Sequence, residues 1–167
     1  MGTTVGLNVA EWHTADEKAA QGIGFTLGQV AETYDGKTYI YVQLGTGGVT
    51  GDGYACIISS AYAAVMTDAS NATVGMRIGI AEGAGAATEF GWLQIYGRCG
   101  IRTAASASAT LWLHGTATAG ELDDATQTDA GPCIMGLHIG TATGGAGAVN
   151  TTGFIDNPKG GLIPQEA

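Results

Sequence analysis

The sequence predicts an all-β domain, a glycine-rich antiparallel β-barrel or β-sandwich with a short N-terminal arm. Three observations carry that reading. First, 29 of 167 residues are glycine and 13% are charged, against usual shares of roughly 7% and roughly 25%. Second, much of the apolar content is alanine, with many threonines beside it, and long runs of Leu, Glu and Lys that would build helices are absent. Third, the stretch FGWLQIYGRCGIR from Phe90 to Arg102 alternates strictly. Leu93, Ile95, Cys99 and Ile101 fall on one parity, and Phe90, Trp92, Gln94, Tyr96, Arg98 and Arg102 on the other. Period-2 alternation puts one face of a strand into a core. The opposite face carries three aromatic rings, so it predicts a subunit contact or a second layer. A chain this long buries roughly 70% of its unfolded surface and needs no disulfide or metal to fold.

The elements follow in order. Residues 1–24 read as an arm. Thr14-Ala15-Asp16-Glu17 fits the S/T-x-x-E capping box, and Lys18 to Gln21 extend one or two helical turns before Gly22. So short a helix needs a surface to pack on. Trp12 and His13 precede it, and Trp12 either folds back on its own domain or reaches a neighbouring subunit.

The β domain spans 25–157. FTLGQVAETYDGKTYIYVQL predicts two strands joined at Asp35-Gly36. In the second, Ile40, Val42 and Leu44 share one face, and Tyr39, Tyr41 and Gln43 the other. GTGGVTGDG (45–53) is a turn region that matches no nucleotide-binding glycine motif. YACIISS and AYAAVM (54–66) contain good helix formers but read as extended. In VGMRIGIA (74–81), Val74, Met76, Ile78 and Ile80 point inward, and Gly75 and Gly79 invite close approach of another backbone. EGAGAATE (82–89) turns the chain into the central strand. In TLWLHGTATAGEL (110–122), Leu111 and Leu113 oppose Trp112 and His114. CIMGLHIGTAT (133–143) is a strand with Cys133, Met135, Leu137 and Ile139 aligned inward, and GGAGAVNTTGF leads to a weaker one. Residues 158–167 read as a tail that frays.

Fifteen acidic against six basic residues give a formal charge of −9. Nucleic-acid binding by phosphate neutralisation needs clustered Lys and Arg, so no nucleic-acid partner is expected. Cys56, Cys99 and Cys133 are odd in number with no C-x-x-C, and read as reduced, buried thiols. The N-terminus has no signal-peptide pattern, and no stretch approaches the roughly 18 apolar residues of a membrane span. The expectation is a soluble protein made in a reducing compartment, without a membrane partner.

No catalytic constellation stands out. His13, His114 and His138 are the only histidines, and spacing nominates no third ligand beside the last two, so no metal site is assigned. Asp123, Asp124 and Asp129 do not meet the EF-hand pattern. G-x-S-x-G and H-E-x-x-H are absent. No cofactor is called for, and the residues give no reason to expect an enzyme.

From Phe25 to about residue 145 the order of features resembles the small capsid decoration (cement, or head stabilisation) proteins of tailed bacteriophages. The matching parts are LGQV…DGKTYIYVQL, the G-I-A strand at 79–81, an Ala/Gly-rich turn, FGWLQIYG, ATLWLHGTATAGEL and IMGLHIGTATGG. The resemblance implies a structural virion protein on the outer capsid surface, made in the host cytoplasm and often a homotrimer, with the major capsid protein as partner. On that reading Trp12, His13, Tyr39, Tyr41, Phe90, Trp92, Tyr96 and Trp112 are candidate partner or oligomer contacts. The alternatives are a carbohydrate-binding β-sandwich and another virion component of a tail or fibre.

Overall fold

The computed structural model describes residues 8–71, 75–109, 112–124, 133–143 and 147–161. Its elements are α1 (Ala15–Ala20), β1 (Val30–Glu32), β2 (Thr38–Leu44), β3 (Asp52–Ile58), β4 (Ala63–Met66), β5 (Arg77–Glu82), β6 (Phe90–Thr103), β7 (Leu113–Gly115), β8 (Leu122–Asp123), β9 (Cys133–Ile139) and β10 (Val149–Gly161). The described residues are all-β apart from one short helix.

That helix forms where the capping box stands. The Thr14 hydroxyl accepts from the Glu17 N–H at 3.2 Å, and the Glu17 carboxylate accepts from the Thr14 N–H at 2.8 Å. None of its residues is buried, so the arm is fixed by what flanks it. His13 and Phe90 exchange backbone hydrogen bonds at 2.9 and 2.8 Å, and Trp12 is buried. The Trp12 indole Nε1–H donates to the Gly83 carbonyl at 3.2 Å. Of the two readings of Trp12, folding back is the one observed.

β1 and β2 form the expected hairpin, with Val30 opposite Ile40 and Glu32 opposite Thr38. Gly36 takes φ +78 in its turn, a conformation that favours glycine. Residues 54–58 and 63–66 are extended, in β3 and β4, and 59–62 form the turn between them. The alanines there are good helix formers, but pairing on both sides of β3 overrides the local preference.

The pairings close two circuits. β2, β4, β3, β5 and β6 return to β2, while β6, β10, β9, β7 and β8 return to β6. Most pairs are antiparallel, but β2–β4 and β6–β8 are parallel, so the sheet is mixed rather than purely antiparallel. β6 belongs to both circuits. Its first half pairs with β2 from Phe90 to Tyr96, and its second half with β10 from Tyr96 to Thr103. The change of partner falls at an irregularity in the ladder and at Gly97, whose φ is +101. Gln94 is buried and spans this point, donating from Nε2 to the Tyr96 and Arg98 carbonyls at 3.0 Å each.

Each circuit has its own core. Ile40, Val42, Leu44, Ala64, Leu93 and Ile95 fill the first, with Trp12 among them. Cys99, Ile101, Leu113, Leu122, Ile134, Leu137, Ile139 and Ile155 fill the second. β3 and β5 are the wall between them. Cys56, Ile58 and Ala81 face the first core, while Ala55, Ile57, Ile78 and Ile80 face the second. A Cβ at Gly79 would lie 3.3 Å from the Gln94 carbonyl oxygen and 2.8 Å from Leu93 Cβ, the expected close approach, whereas one at Gly75 would meet nothing within 4 Å.

Two expectations are corrected. Met135 is exposed rather than inward, because Gly136 adopts φ +78 and the β9–β10 register shifts between Ile155 and Lys159. That bulge flips the parity of β9, so Ile134 points in and Met135 out. Residues 158–161 belong to β10 instead of a frayed tail, and 162–167 lie outside the described residues. Gly160 donates to the Met76 carbonyl and accepts from the Gly75 N–H, a tertiary tie that glycine and proline content does not reveal.

Candidate functional site

The aromatic second face of β2 and β6 is covered by the chain itself. Tyr39, Tyr41 and Trp92 are buried with Ala31, and Val9, Phe25 and Phe90 pack against them. Phe25 stands edge-on to Trp92, with centroids 5.0 Å apart, an arrangement that favours the ring quadrupoles. α1 holds the Lys18 ammonium 5.0 Å from the Tyr41 centroid and 4.9 Å from that of Phe90, and Nζ donates to the Phe25 carbonyl at 2.7 Å. The Tyr39 hydroxyl donates to Glu82 Oε1 at 2.9 Å, beside Lys37 at 3.1 Å. Burial first, then the neighbouring Glu82 carboxylate, pushes the Tyr39 phenol well above its ordinary range. The second layer is therefore intramolecular.

This placement divides the candidate contacts. Trp12, Tyr39, Tyr41 and Trp92 are core side chains in the folded chain and offer a partner no surface. His13 and Phe90 are half-buried in the bridge that ties down the arm. Tyr96 and Trp112 are outward, with exposures of 38% and 50%.

Two residues not nominated from the sequence join them, Met135 at 48% and Phe154 at 36% exposure. Phe154 stands opposite Arg98 on one side and His138 on the other. The Tyr96 and Phe154 rings meet edge-on at 5.5 Å, and His138 lies 5.9 Å from Phe154. Trp112 and Met135 are the next positions beyond the Leu113–Ile134 pair of β7 and β9. Beside this apolar strip, Gly100, Thr152 and Gly140 leave the face low. Two shallow hollows of about 420 and 370 Å³ result, and Arg98 and Thr152 line both. Phe154 could have been found from its even parity in VNTTGF. Met135 could not, because the bulge that exposes it leaves no period in the sequence.

His114 and His138 lie on neighbouring strands but are not brought together, since His114 is opposite Cys133 and His138 opposite Phe154. Among the described residues, no three His, Cys, Asp or Glu side chains converge.

Cys56, Cys99 and Cys133 are buried, and none forms a disulfide. Burial pushes the Cys56 and Cys99 thiols up to about 12, with the Glu82 charge adding to the effect at Cys99. A raised folded-state pKa means that the unfolded chain loses these protons first as pH rises. Stability from this source is fully present below about pH 8.5, where free thiols remain protonated. It falls from there to about pH 12, by up to about 1.4 kcal/mol per pH unit for each thiol. Urea midpoints measured between pH 8 and 11 are expected to fall, with a smaller slope in Cys56→Ala.

Comparison with protein-family models, with curated proteins and with solved structures found no match.

Proposed function

We propose that the chain is a structural virion protein that binds the outer surface of a phage capsid and stabilises the shell by bridging subunits of the major capsid protein. The observation that carries the reading furthest is the outward face of β6, β9 and β10. Among the exposed large apolar side chains, Tyr96 and Phe154 meet on this face, and Val149 is on β10. Trp112 and Met135 stand at the β7–β9 end, while Leu27, Val30 and Tyr34 lie around β1. Apolar residues gathered on a face mark an interaction surface more often than residues scattered singly. On this reading the face joins three copies of the chain, and the trimer presents three equivalent capsid contacts. Linked contacts strengthen one another because each later one is effectively intramolecular, by a factor of about 10²–10⁴. Support also comes from the resemblance across the β domain.

Light scattering coupled to size exclusion is expected to give the mass of three chains, falling to one chain in Phe154→Asp. Cosedimentation with capsids is expected to weaken by about 10²–10⁴ in that variant. A monomeric parent chain would remove the trimer, and absence of capsid binding by the trimer would remove the function. Glycan-array binding that Phe154→Ala abolishes would put a carbohydrate-binding module in its place.

A further inference from the structure

A second feature lies at the seam between the two circuits, at the border of the apolar face, where Lys159 stands opposite Met135. The β5–β10 ladder places Arg77 directly opposite Lys159. Both border a hollow of about 480 Å³ with Ser59, Ser60 and Tyr62 from the β3–β4 turn. Among the described residues, no carboxylate lines it. Directly opposed like charges destabilise a ladder, and here they occur in a chain with 15 acidic residues available to relieve them. Elsewhere the chain does so, since Lys37 pairs with Glu82 and Arg102 with Glu121. Among the described residues, neither Arg77 nor Lys159 has an ion-pair partner.

The surrounding groups are held in place. Ser59 Oγ accepts from the Ala63 N–H at 3.1 Å, which orients the hydroxyl and leaves its proton to donate. Tyr62 takes φ +60, and its ring is seated against Gly28, where a Cβ would overlap it. The Gly75 N–H donates to the Gly160 carbonyl at 2.7 Å, and the Gly160 N–H to the Met76 carbonyl at 3.1 Å, fixing the backbone that flanks both cations. A guanidinium fork, an ammonium and hydroxyl donors around one hollow match the acceptor oxygens of a phosphate group.

We infer that this hollow is a binding site for a phosphate group, whether free phosphate or the monoester of a small organic molecule. The inference is independent of the capsid reading. Bound there, the anion would tie the β3–β4 turn, β5 and β10 together and cancel the repulsion between Arg77 and Lys159.

The test is a titration of the full chain with inorganic phosphate and with glycerol phosphate, against chloride at matched ionic strength, followed by amide NMR shifts and thermal unfolding. Saturable shifts are expected at Ser59, Ser60, Tyr62, Arg77 and Lys159, with a rise in unfolding temperature that chloride does not reproduce. Arg77→Gln and Lys159→Gln are each expected to weaken binding at least about tenfold. Without phosphate, both should unfold at or above the parent temperature, because the substitution removes a repulsion. Tighter binding of the ester than of phosphate identifies an organic ligand, and equal binding identifies the free ion. Shifts that do not saturate, that chloride matches, or that persist in both variants would overturn the site.

Discussion

Trp12→Ala is expected to destabilise the folded chain by about 3–5 kcal/mol, the range for removing a buried Trp or Phe side chain. The indole lies over Gly85 and Gly91 and against Leu44. A Cβ at Gly85 would come within 2.5 Å of the ring, and one at Gly91 nearer still. Those glycines have no side chains with which to fill the space once the ring is gone, so the site cannot collapse. The hydrogen bond to the Gly83 carbonyl is lost as well, and with it the anchor for an arm whose helix has no buried residue of its own. Urea unfolding of the parent and variant measures the loss. If Trp12 acted on a neighbouring subunit instead, the substitution would lower the oligomer mass and leave unfolding of the dissociated chain unchanged.

Ile101→Ala, in the other core, is expected to cost about 2–5 kcal/mol and to leave a single unfolding transition. Ile101 is fully buried and packs against Gly153, where a Cβ would collide with it. Its core shares β3 and β5 with the core of Trp12, because successive residues of those strands face opposite sides. Melting either core therefore exposes a wall of the other. In a Trp112→Phe background, tryptophan fluorescence reports on Trp12 and Trp92 and should change at the same urea concentration as hydrogen exchange in β9. Separate midpoints would show that the two circuits are independent folding units, and would defeat the prediction.

Much of this architecture was legible in the residues, and its omissions have physical causes. The inward parity of β6 could be read because each of Leu93, Ile95, Cys99 and Ile101 reports directly on one face. The helix at Ala15–Ala20 could be read because a capping box is a local hydrogen-bond pattern. The outward parity read as a subunit contact or a second layer, and at Trp92 it is a second layer made by the chain itself. Phe25 covers Trp92 from a distant part of the chain, and nothing in the local sequence distinguishes that from a partner's ring. The parallel closures β2–β4 and β6–β8 were invisible for a similar reason, since each rests on one or two residue pairs. The apolar face was half legible. Tyr96 and Trp112 were nominated, but the bulge at Gly136 reversed Met135. Arg77 and Lys159 are 82 positions apart in the sequence, and only the β5–β10 pairing makes them neighbours.

The sharing of β6 has a mechanical consequence. A strand common to both circuits, bonded at successive points to β2, β5, β10 and β8, acts as a spar. Load applied to the Phe154 face enters β10, passes into β6 by shear along eight residue pairs, and reaches the opposite end of the molecule without crossing a loop. Bending between the two halves would have to break the β6–β10 pairs at Tyr96 and Gly97. A body of this kind transmits strain between whatever it touches at its two ends instead of absorbing it.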